Sequence, residues 1–168
     1  MPNAAAVEYA HREKGGRTAG CNPAHRVTPL ATCLDVPDGQ LVAAAKAEAA
    51  LTHFDPLAGD VAAATAVLIR LLVGGVAWRS ALAEAAIGRM HKTQMALTNQ
   101  NGSGLSQGGY APDVLRAAVY FLDTQPGFQS ALDASVLFSG PANYCPVLVG
   151  SIGAVRYCDL SKPSTKAC

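Results

Sequence analysis

The segment Leu51–Gly59, with the sequence LTHFDPLAG, holds the residues best suited to chemistry in this chain. His53 and Asp55 place an imidazole and a carboxylate two residues apart, and enzymes use both groups for general acid–base catalysis. Pro56 follows and predicts a helix start, because proline is favoured in the first turn. The free N–H groups of a helix start suit a phosphate or carboxylate ligand. The alternative is that His53 only caps or hydrogen-bonds the helix terminus.

The chain offers little that would hold a metal ion. Cys21 and His25 are four residues apart, with Cys33 further along, whereas structural zinc sites need four ligands in closer pairs. Magnesium needs clustered carboxylates, and the sequence has no Asp-Asp or Asp-x-Asp pair. Asp55 and Asp60 are predicted to lie near the start of one helix, but two carboxylates alone are weak evidence for a magnesium site. The residues alone therefore predict no metal ligand.

Cys145 is the candidate nucleophile, since it is predicted to lie in a loop just before a helix, where the pKa of a thiol can fall. Its candidate base is His53 or His25. A buried, unreactive cysteine is the interpretation we favour. The five cysteines are odd in number, contain no C-x-x-C pair and follow no apolar N-terminal signal. We therefore predict reduced thiols in an intracellular, cytoplasmic protein.

Composition excludes several classes of function. The length of 168 residues favours a single domain over residues 1–168, half of the residues are hydrophobic, and the net charge is +1. So small a charge gives no attraction to nucleic acid or to an anionic membrane. In the most apolar segment the longest uncharged run, residues 61–69, is far shorter than the ~20 residues of a membrane span. We expect neither nucleic acid nor a membrane as a partner.

The hydrophobic pattern predicts only helices. Leu57–Val73 has no polar face, because Asp60, Thr65 and Arg70 point in three directions, so it is predicted to be a central helix that the others surround. The other predicted helices are Leu41–Leu51, Ser80–Leu97, Pro112–Asp123, one that begins at Phe128, and Val147–Tyr157.

The remaining segments are predicted to be irregular. Ala19–Ala31 and Ser139–Pro146 both contain prolines and are predicted loops, and residues 1–18 and 158–168 are expected to be loose termini. Thr98–Tyr110 is rich in Gly, Ser, Asn and Gln, which predicts a mobile loop. That loop is either a flexible connector, which we favour, or a lid over a site.

Three stretches, in the same order, resemble the ADP-ribosylglycohydrolase family. Gly20–Ala31, GCNPAHRVTPLA, resembles the family's G-N-G-x-x-M-R-x-x-P-L loop, whose backbone lies near the diphosphate of ADP-ribose. Leu51–Gly59 resembles the family's T-H-x-x-P-x-A/G segment, in which His53 matches a ligand-pocket histidine. Gly109–Tyr157 contains GYAPDVLRAAVYFL and SGPANYCPVLVGSIGAVRY, which resemble the family's G-F-A-P-E-V-L-x-A-A helix and its G-G-D-x-D-T segment.

The resemblance implies an all-α fold, an orthogonal multi-helix bundle of the ADP-ribosylglycohydrolase type that hydrolyses or binds an ADP-ribosyl group. It also implies that the partner is ADP-ribose or an ADP-ribosylated small molecule or protein. The ligand-binding residues that the resemblance implies are Gly20, Cys21, Asn22, His53 and Asn143.

The sequence departs from the family at the residues that hold its pair of Mg²⁺ ions. Pro141, Asn143 and Tyr144 stand where the family has two aspartates and a threonine, and the family's N-terminal half with its D-D-T motif has no counterpart here. Mg²⁺ is therefore a cofactor by resemblance alone, and its ligands are largely missing. We expect an incomplete bundle, as in the C-terminal part of a longer protein or a divergent relative, which another chain would complete.

Three functions remain open at the level of sequence. The first is hydrolysis of an N- or O-glycosidic bond to ADP-ribose, which here needs a metal-free route with His53 and Asp55 as the catalytic residues. The second is a non-catalytic module that binds ADP-ribose or another nucleotide, with the loop Gly20–Arg26 and the helix start after His53 holding the phosphates. The third is a helical protein whose exposed apolar surface binds a protein partner.

Overall fold

The computed structural model describes residues 2–99 and 101–157, and these residues form ten helices joined by short connections. The helices are α1 (Pro2–Glu13), α2 (Asn22–Arg26), α3 (Thr28–Thr32), α4 (Asp38–Ala50), α5 (Pro56–Val73), α6 (Trp78–Ala86), α7 (His91–Thr98), α8 (Ala111–Thr124), α9 (Phe128–Ser139) and α10 (Tyr144–Tyr157). In these two ranges the β-type pairing consists of an isolated antiparallel bridge between Gly20 and Tyr110. The all-α fold predicted from the sequence is confirmed.

The helix α5 lies at the centre of the bundle, as its lack of a polar face predicts. It contacts α2, α3, α4, α6, α7, α8 and α10. Leu68 and Ile69 are fully buried, and burial of each such side chain contributes about 1.5–3 kcal/mol to folding. Small residues let α4 approach closely, since a Cβ on Gly59 would lie 3.5 Å from Cβ of Ala49. The start of α5 is thereby held at a fixed place in the core.

The same helix is long and apolar enough to cross a membrane, but 72% of Pro56–Val73 is buried inside this chain. A spanning helix would present its apolar side chains to lipid, whereas these side chains contact seven other helices. This pattern is typical of the core helix of a soluble bundle.

A buried carboxylate on α5 joins three elements. Asp60 is 1% exposed, and Lys46 Nζ on α4 lies 3.1 Å from its Oδ1. Arg89 Nη1 lies 3.7 Å from the same oxygen, and the Met90 N–H donates to Oδ2 at 2.8 Å. A buried carboxylate needs such partners, because desolvation of the bare charge is costly. Asp60 therefore fixes the connection between α6 and α7.

The other end of α5 is fixed by Arg70. Its guanidinium donates to the carbonyls of Ala31 at 2.6 Å, Cys33 at 2.8 Å and Val36 at 3.1 Å, and it pairs with Asp38 at 2.5 Å. Arginine presents five donors in a rigid fork, so one side chain can satisfy several carbonyls of an irregular segment. This arrangement attaches the connection between α3 and α4 to the central helix.

The predicted single helix Ser80–Leu97 is wrong, because the chain forms α6 and α7 with a break between them. Gly88 has φ of +69°, which glycine adopts without strain. Ile87 and Met90, on either side of it, are in extended conformations. The break reorients the second half of the segment, so that Lys92 at the start of α7 reaches the cavity described below.

Three predicted irregular segments also contain helix. Ala19–Ala31 includes α2 and α3, each with a proline in its first turn. Residues 1–18, expected to be a loose terminus, contain α1. The predicted loop Ser139–Pro146 ends early, because α10 already begins at Tyr144. The expected loose terminus at 158–168 lies outside the described residues, together with Cys158 and Cys168.

The Gly- and Ser-rich segment after α7 is non-helical where it is described, and the body of the protein holds it in place. Arg116 Nη2 on α8 donates to the carbonyls of Asn101 and Ser103, both at 2.8 Å. Gln107 Nε2 donates to a carbonyl of α9 at 2.6 Å. The last two residues of the segment, Gly109–Tyr110, then run into the cavity wall.

Candidate functional site

A cavity of ≈ 890 Å³ opens where α1, α5 and α7 meet two connecting segments. One segment is the chain from Gly16 to Asn22, and the other is the Thr52–Asp55 turn before α5. Ligand pockets for nucleotides and other small molecules have volumes of roughly 300–1,000 Å³. The cavity therefore has the size of a small-molecule site and lies at the segment in which the sequence places its chemistry.

The isolated bridge builds one wall of this cavity. The Cys21 N–H donates to the Gly109 carbonyl at 3.0 Å, and the Ala111 N–H donates to the Ala19 carbonyl at 2.9 Å. Gly20, between these bonds, leaves room for His53, because a Cβ at this position would lie only 2.9 Å from His53 Nε2. Two distant segments of the sequence thus form a single wall, and a side chain at position 20 would have to displace the His53 ring.

A hydrogen-bonded chain of side chains orients His53. Glu48 on α4 pairs with Arg26 on α2, and Arg26 Nη2 donates to Thr52 Oγ1 at 2.6 Å. The same hydroxyl oxygen lies 2.9 Å from His53 Nδ1. Because arginine only donates, the Thr52 oxygen accepts from it and keeps its own proton available for Nδ1. The Thr52 proton has two acceptors within reach, Nδ1 of His53 and the Ala49 carbonyl 3.5 Å from Oγ1, and the tautomer of His53 decides between them.

Burial favours the neutral form of the His53 imidazole. Burial lowers its pKa below the ordinary value of 6.5, and the positive charge of Arg26 lowers it further. The carboxylate of Glu48 acts in the opposite direction, but burial is the larger effect. A neutral imidazole can donate one hydrogen bond and accept another, which suits a sugar hydroxyl or a proton-transfer role.

Asp55 lines the cavity and also serves as the N-cap of α5. Its Oδ1 accepts from the Leu57 N–H at 2.9 Å, and Pro56 occupies the first helical position. This is the helix-start chemistry that the sequence predicts. One carboxylate oxygen is therefore committed to the helix terminus.

The other predicted site residues lie in different parts of the structure, and only some of them line the cavity. Asn22 joins Gly20, His53 and Asp55 in the cavity lining, whereas Asn143 is exposed between α9 and α10 and does not line it. Cys21 points into the core with 1% exposure, and burial raises the pKa of its thiol to about 11. Cys21 thus contributes to the site through the backbone hydrogen bond that it donates to Gly109 within the bridged wall.

Cys145 lies in the first turn of α10 rather than in a loop, and it is 3% exposed. Burial raises the pKa of its thiol to about 12, so the thiolate that a nucleophile needs is suppressed at neutral pH. The favoured interpretation of a buried cysteine is confirmed.

Sequence reasoning missed the cationic part of the cavity. Lys14 and Arg17 follow α1, and Lys92 lies at the start of α7; all three line the cavity, as do the aromatic residues Phe54 and Tyr110. The signal for Tyr110 is its place just before Pro112, at the start of a predicted helix. The lysines and the arginine carry no local signal of this kind.

The model of the ADP-ribosylglycohydrolase family matches residues 3–157. This chain belongs to the ADP-ribosylglycohydrolase family. A search of curated proteins gave no match. Among solved structures, a chain described as an "ADP-ribosylglycohydrolase-related protein complex" matches with a TM-score of 0.72 at 21% identity. The match covers 88% of this chain and 53% of the other, so the present chain spans about half the length of that relative.

In this ADP-ribosylglycohydrolase homologue, the side chains that could bind a metal ion do not fit the family's pair of Mg²⁺ ions. In residues 2–99 and 101–157, no three His, Cys, Asp or Glu side chains come together as a metal site. Of the described residues, Asp55 is the carboxylate that lines the cavity, and three cationic side chains share that lining. Divalent magnesium requires carboxylate oxygens in near-octahedral geometry, and neighbouring cations oppose its binding.

Tyr144 stands where the motif resemblance places a metal-binding threonine of the family, and its ring packs behind the cavity wall. Tyr144 stacks on His25 with ring centroids 6.3 Å apart. It also lies against the cavity wall, because a Cβ on Gly109 would approach Tyr144 Cζ to 3.2 Å. An aromatic ring thus supports the wall from behind at a position where the family has a hydroxyl or carboxylate ligand.

Proposed function

We propose that this chain binds an ADP-ribosyl group in the cavity and does so without a divalent metal ion. The observation that carries the proposal is the convergence of two family motifs, at Gly20–Asn22 and Thr52–Asp55, on one cavity with a cationic lining. In the family the first of these loops lies near the diphosphate of ADP-ribose, and the second supplies a pocket histidine. The ligand class follows from these matched positions and from the charge of the lining.

The electrostatics of the cavity favour a phosphorylated ligand. Lys14, Arg17 and Lys92 outnumber the one carboxylate in the lining, Asp55, and the histidine beside them is neutral. Phosphate oxygens accept hydrogen bonds from cationic donors, and such charge-assisted bonds are roughly twice as strong as neutral ones. The neutral ring of His53 is left to bind the uncharged, hydroxyl-bearing part of the ligand.

Binding is better supported than hydrolysis. The family's hydrolytic mechanism uses metal ions to activate water, and the donor set here does not fit them. A metal-free route would need Asp55 as an acid or base, and one of its oxygens already caps α5. The proposal therefore assigns His53 and Asp55 to ligand positioning and to the local structure of the site.

The test is a calorimetric titration of ADP-ribose into the purified chain, first with Mg²⁺ and then with EDTA. We expect the same dissociation constant in both buffers, and weaker binding by His53→Ala. The control variant Asp133→Ala, on the exposed face of α9 and outside the cavity lining, should bind as the wild type does. Binding that vanishes in EDTA, or no binding by a folded sample, would contradict the proposal.

The same sample can be tested for turnover of ADP-ribosylated arginine in EDTA. We expect no release of ADP-ribose. Metal-free turnover that His53→Ala and Asp55→Ala both abolish would replace the binding function with the hydrolytic one.

A further inference from the structure

Three cationic side chains approach the cavity from two separate elements. Lys14 and Arg17 belong to the turn that follows α1, and Lys92 belongs to the first turn of α7. About eighty residues of sequence separate the two groups, yet both line the same space. The site therefore has positive charge from two separate elements in the same lining as His53 and Asp55.

The turn after α1 depends on glycine. Gly15 and Gly16 have φ of +58° and +77°, which L side chains rarely adopt. The Gly16 N–H donates to the His11 carbonyl at 2.9 Å, and the Arg17 N–H donates to the Lys14 carbonyl at 3.2 Å. These bonds reverse the chain and return Arg17 to the cavity that Lys14 also lines.

Lys92, on the second of these elements, is oriented by Tyr110. Its Nζ donates to the Tyr110 hydroxyl at 2.9 Å and lies 5.4 Å from the centre of that ring. This hydrogen bond raises the pKa of Lys92, so the ammonium group stays charged across the physiological range. Tyr110 belongs to the bridged wall, and the lysine is therefore positioned relative to Gly20 and His53.

Two carboxylates among the described residues act on Lys92: Asp55 and Asp113 both raise its pKa through their charge, and Asp113 lies outside the cavity lining. Asp55 lines the same cavity, but one of its oxygens is used by the Leu57 N–H. By contrast Arg12, two residues before Lys14 and on α1, pairs with Glu8 at 2.5 Å. The positive charge at the cavity mouth is thus left available for an anion.

We infer that Lys14, Arg17 and Lys92 form a cationic clamp that grips the phosphate groups of the bound ligand. This inference deepens the proposed function, since it names the side chains that bind the diphosphate of an ADP-ribosyl group. A diphosphate offers oxygens in several directions, so cations from two elements that line one cavity can bind it at once. The clamp supplies from the chain's own side chains the positive charge that a diphosphate needs, and it requires no metal ion.

The test compares Lys14→Gln, Arg17→Gln and Lys92→Gln with the matched control Arg12→Gln, whose side chain is 75% exposed and paired outside the cavity lining. The probes are ADP-ribose, inorganic pyrophosphate and adenosine. We expect each cavity variant to weaken binding of the two phosphorylated probes by about tenfold, as expected for loss of a charge-assisted hydrogen bond. The binding of adenosine, which has no phosphate, and the behaviour of Arg12→Gln should not change.

A further variant separates charge from positioning. Tyr110→Phe removes the hydroxyl that orients Lys92 but keeps the ammonium charge, so it should weaken pyrophosphate binding less than Lys92→Gln does. Raising the salt concentration from 50 to 500 mM should weaken ADP-ribose binding in the wild type and less in the three cavity variants, because salt screens exposed charges. Thermal unfolding of each variant checks that the exposed substitutions leave the fold intact.

The outcomes distinguish the clamp from the proposed function. ADP-ribose binding that all three Gln variants retain at wild-type strength overturns the clamp and leaves the binding function standing. Cation-dependent binding of pyrophosphate without any binding of ADP-ribose overturns the function and supports the clamp. A folded wild-type chain that binds neither probe overturns both.

Discussion

Gly20 lies directly against the His53 ring, and a side chain at position 20 would have to displace that ring. A Cβ there would lie 2.9 Å from His53 Nε2 and 3.4 Å from Cδ2. The glycine is itself fixed by backbone hydrogen bonds on both sides, from Cys21 to Gly109 and from Ala111 to Ala19. Two family motifs that are more than thirty residues apart thus meet through one glycine–histidine contact.

The contact makes Gly20→Ala a sensitive probe of the site. The added methyl group must displace the imidazole, because the bridged backbone is held in place, and we expect ADP-ribose to bind about tenfold more weakly, or ~1.4 kcal/mol. The ring resonances of His53 should shift in NMR spectra. Gly39→Ala is the control, since a Cβ at that exposed position meets nothing within 4 Å. Equal affinity in both variants would contradict a role for this contact in binding.

The central part of the fold could be predicted from sequence because it follows from local chemistry. Leu57–Val73 had to be buried, since its apolar residues surround the whole helix, and Asp55–Pro56 marked its start correctly to within one residue. The break at Gly88 could not be seen in the same way. The apolar spacing of Ser80–Leu97 fits one long helix, and the φ of +69° at Gly88 is revealed only by the fold.

The cationic part of the candidate site could not be predicted from the sequence pattern either. His53 and Asp55 stand out by residue type, but Lys14 lies in a charged run that is typical of a solvated terminus. Arg17 joins Lys14 in the cavity lining only through a turn made by two glycines with positive φ. Asn143 illustrates the opposite case, because its motif position implies a ligand contact while the chain places it on the surface.

Two substitutions of Asp55 distinguish its role as the N-cap of α5 from a role of its carboxylate in the chemistry of the site. Asp55→Ala removes the acceptor for the Leu57 N–H, and loss of such an N-cap lowers the free energy of unfolding by about 1 kcal/mol. Asp55→Asn keeps an acceptor oxygen and removes a negative charge from a cavity that is proposed to bind phosphate. We therefore expect near wild-type stability in urea unfolding and equal or tighter ADP-ribose binding for Asp55→Asn. Loss of binding in that variant would instead indicate that the carboxylate charge itself contacts the ligand.

His25 should make the stability of this chain depend on pH. Burial lowers its pKa below the ordinary value of 6.5, and a backbone hydrogen bond with Tyr144 opposes part of this effect. As the pH falls below about 6.5, His25 binds a proton in the unfolded chain before it does so in the folded chain. The free energy of unfolding therefore falls. The stabilisation is complete above pH 6.5 and is lost progressively below it.

Urea unfolding at several pH values between 5 and 7.5 measures this dependence, with His25→Gln as the comparison. The carboxylates titrate in both proteins, so the difference between the two curves isolates the histidine. We expect the wild type to lose more stability than His25→Gln as the pH falls. Parallel curves would mean that His25 takes up a proton equally well in the folded and unfolded chains.

Two glycines on α10 should respond in opposite ways to the same substitution. A Cβ on Gly153 would lie 2.8 Å from Phe128 Cδ2 and 3.0 Å from Leu122 Cδ2, which are side chains of α9 and α8. Gly153→Ala therefore overfills the junction of three helices, and such overpacking costs about 1–3 kcal/mol. A Cβ on Gly150 meets nothing within 4 Å, so Gly150→Ala should stabilise the helix by about 0.5–1 kcal/mol through reduced chain entropy. Urea unfolding of the two variants measures both changes, and each variant controls for the other because both add one methyl group to the same helix. A change of the same sign in the free energy of unfolding of both variants would contradict the close approach of α10 to α8 and α9.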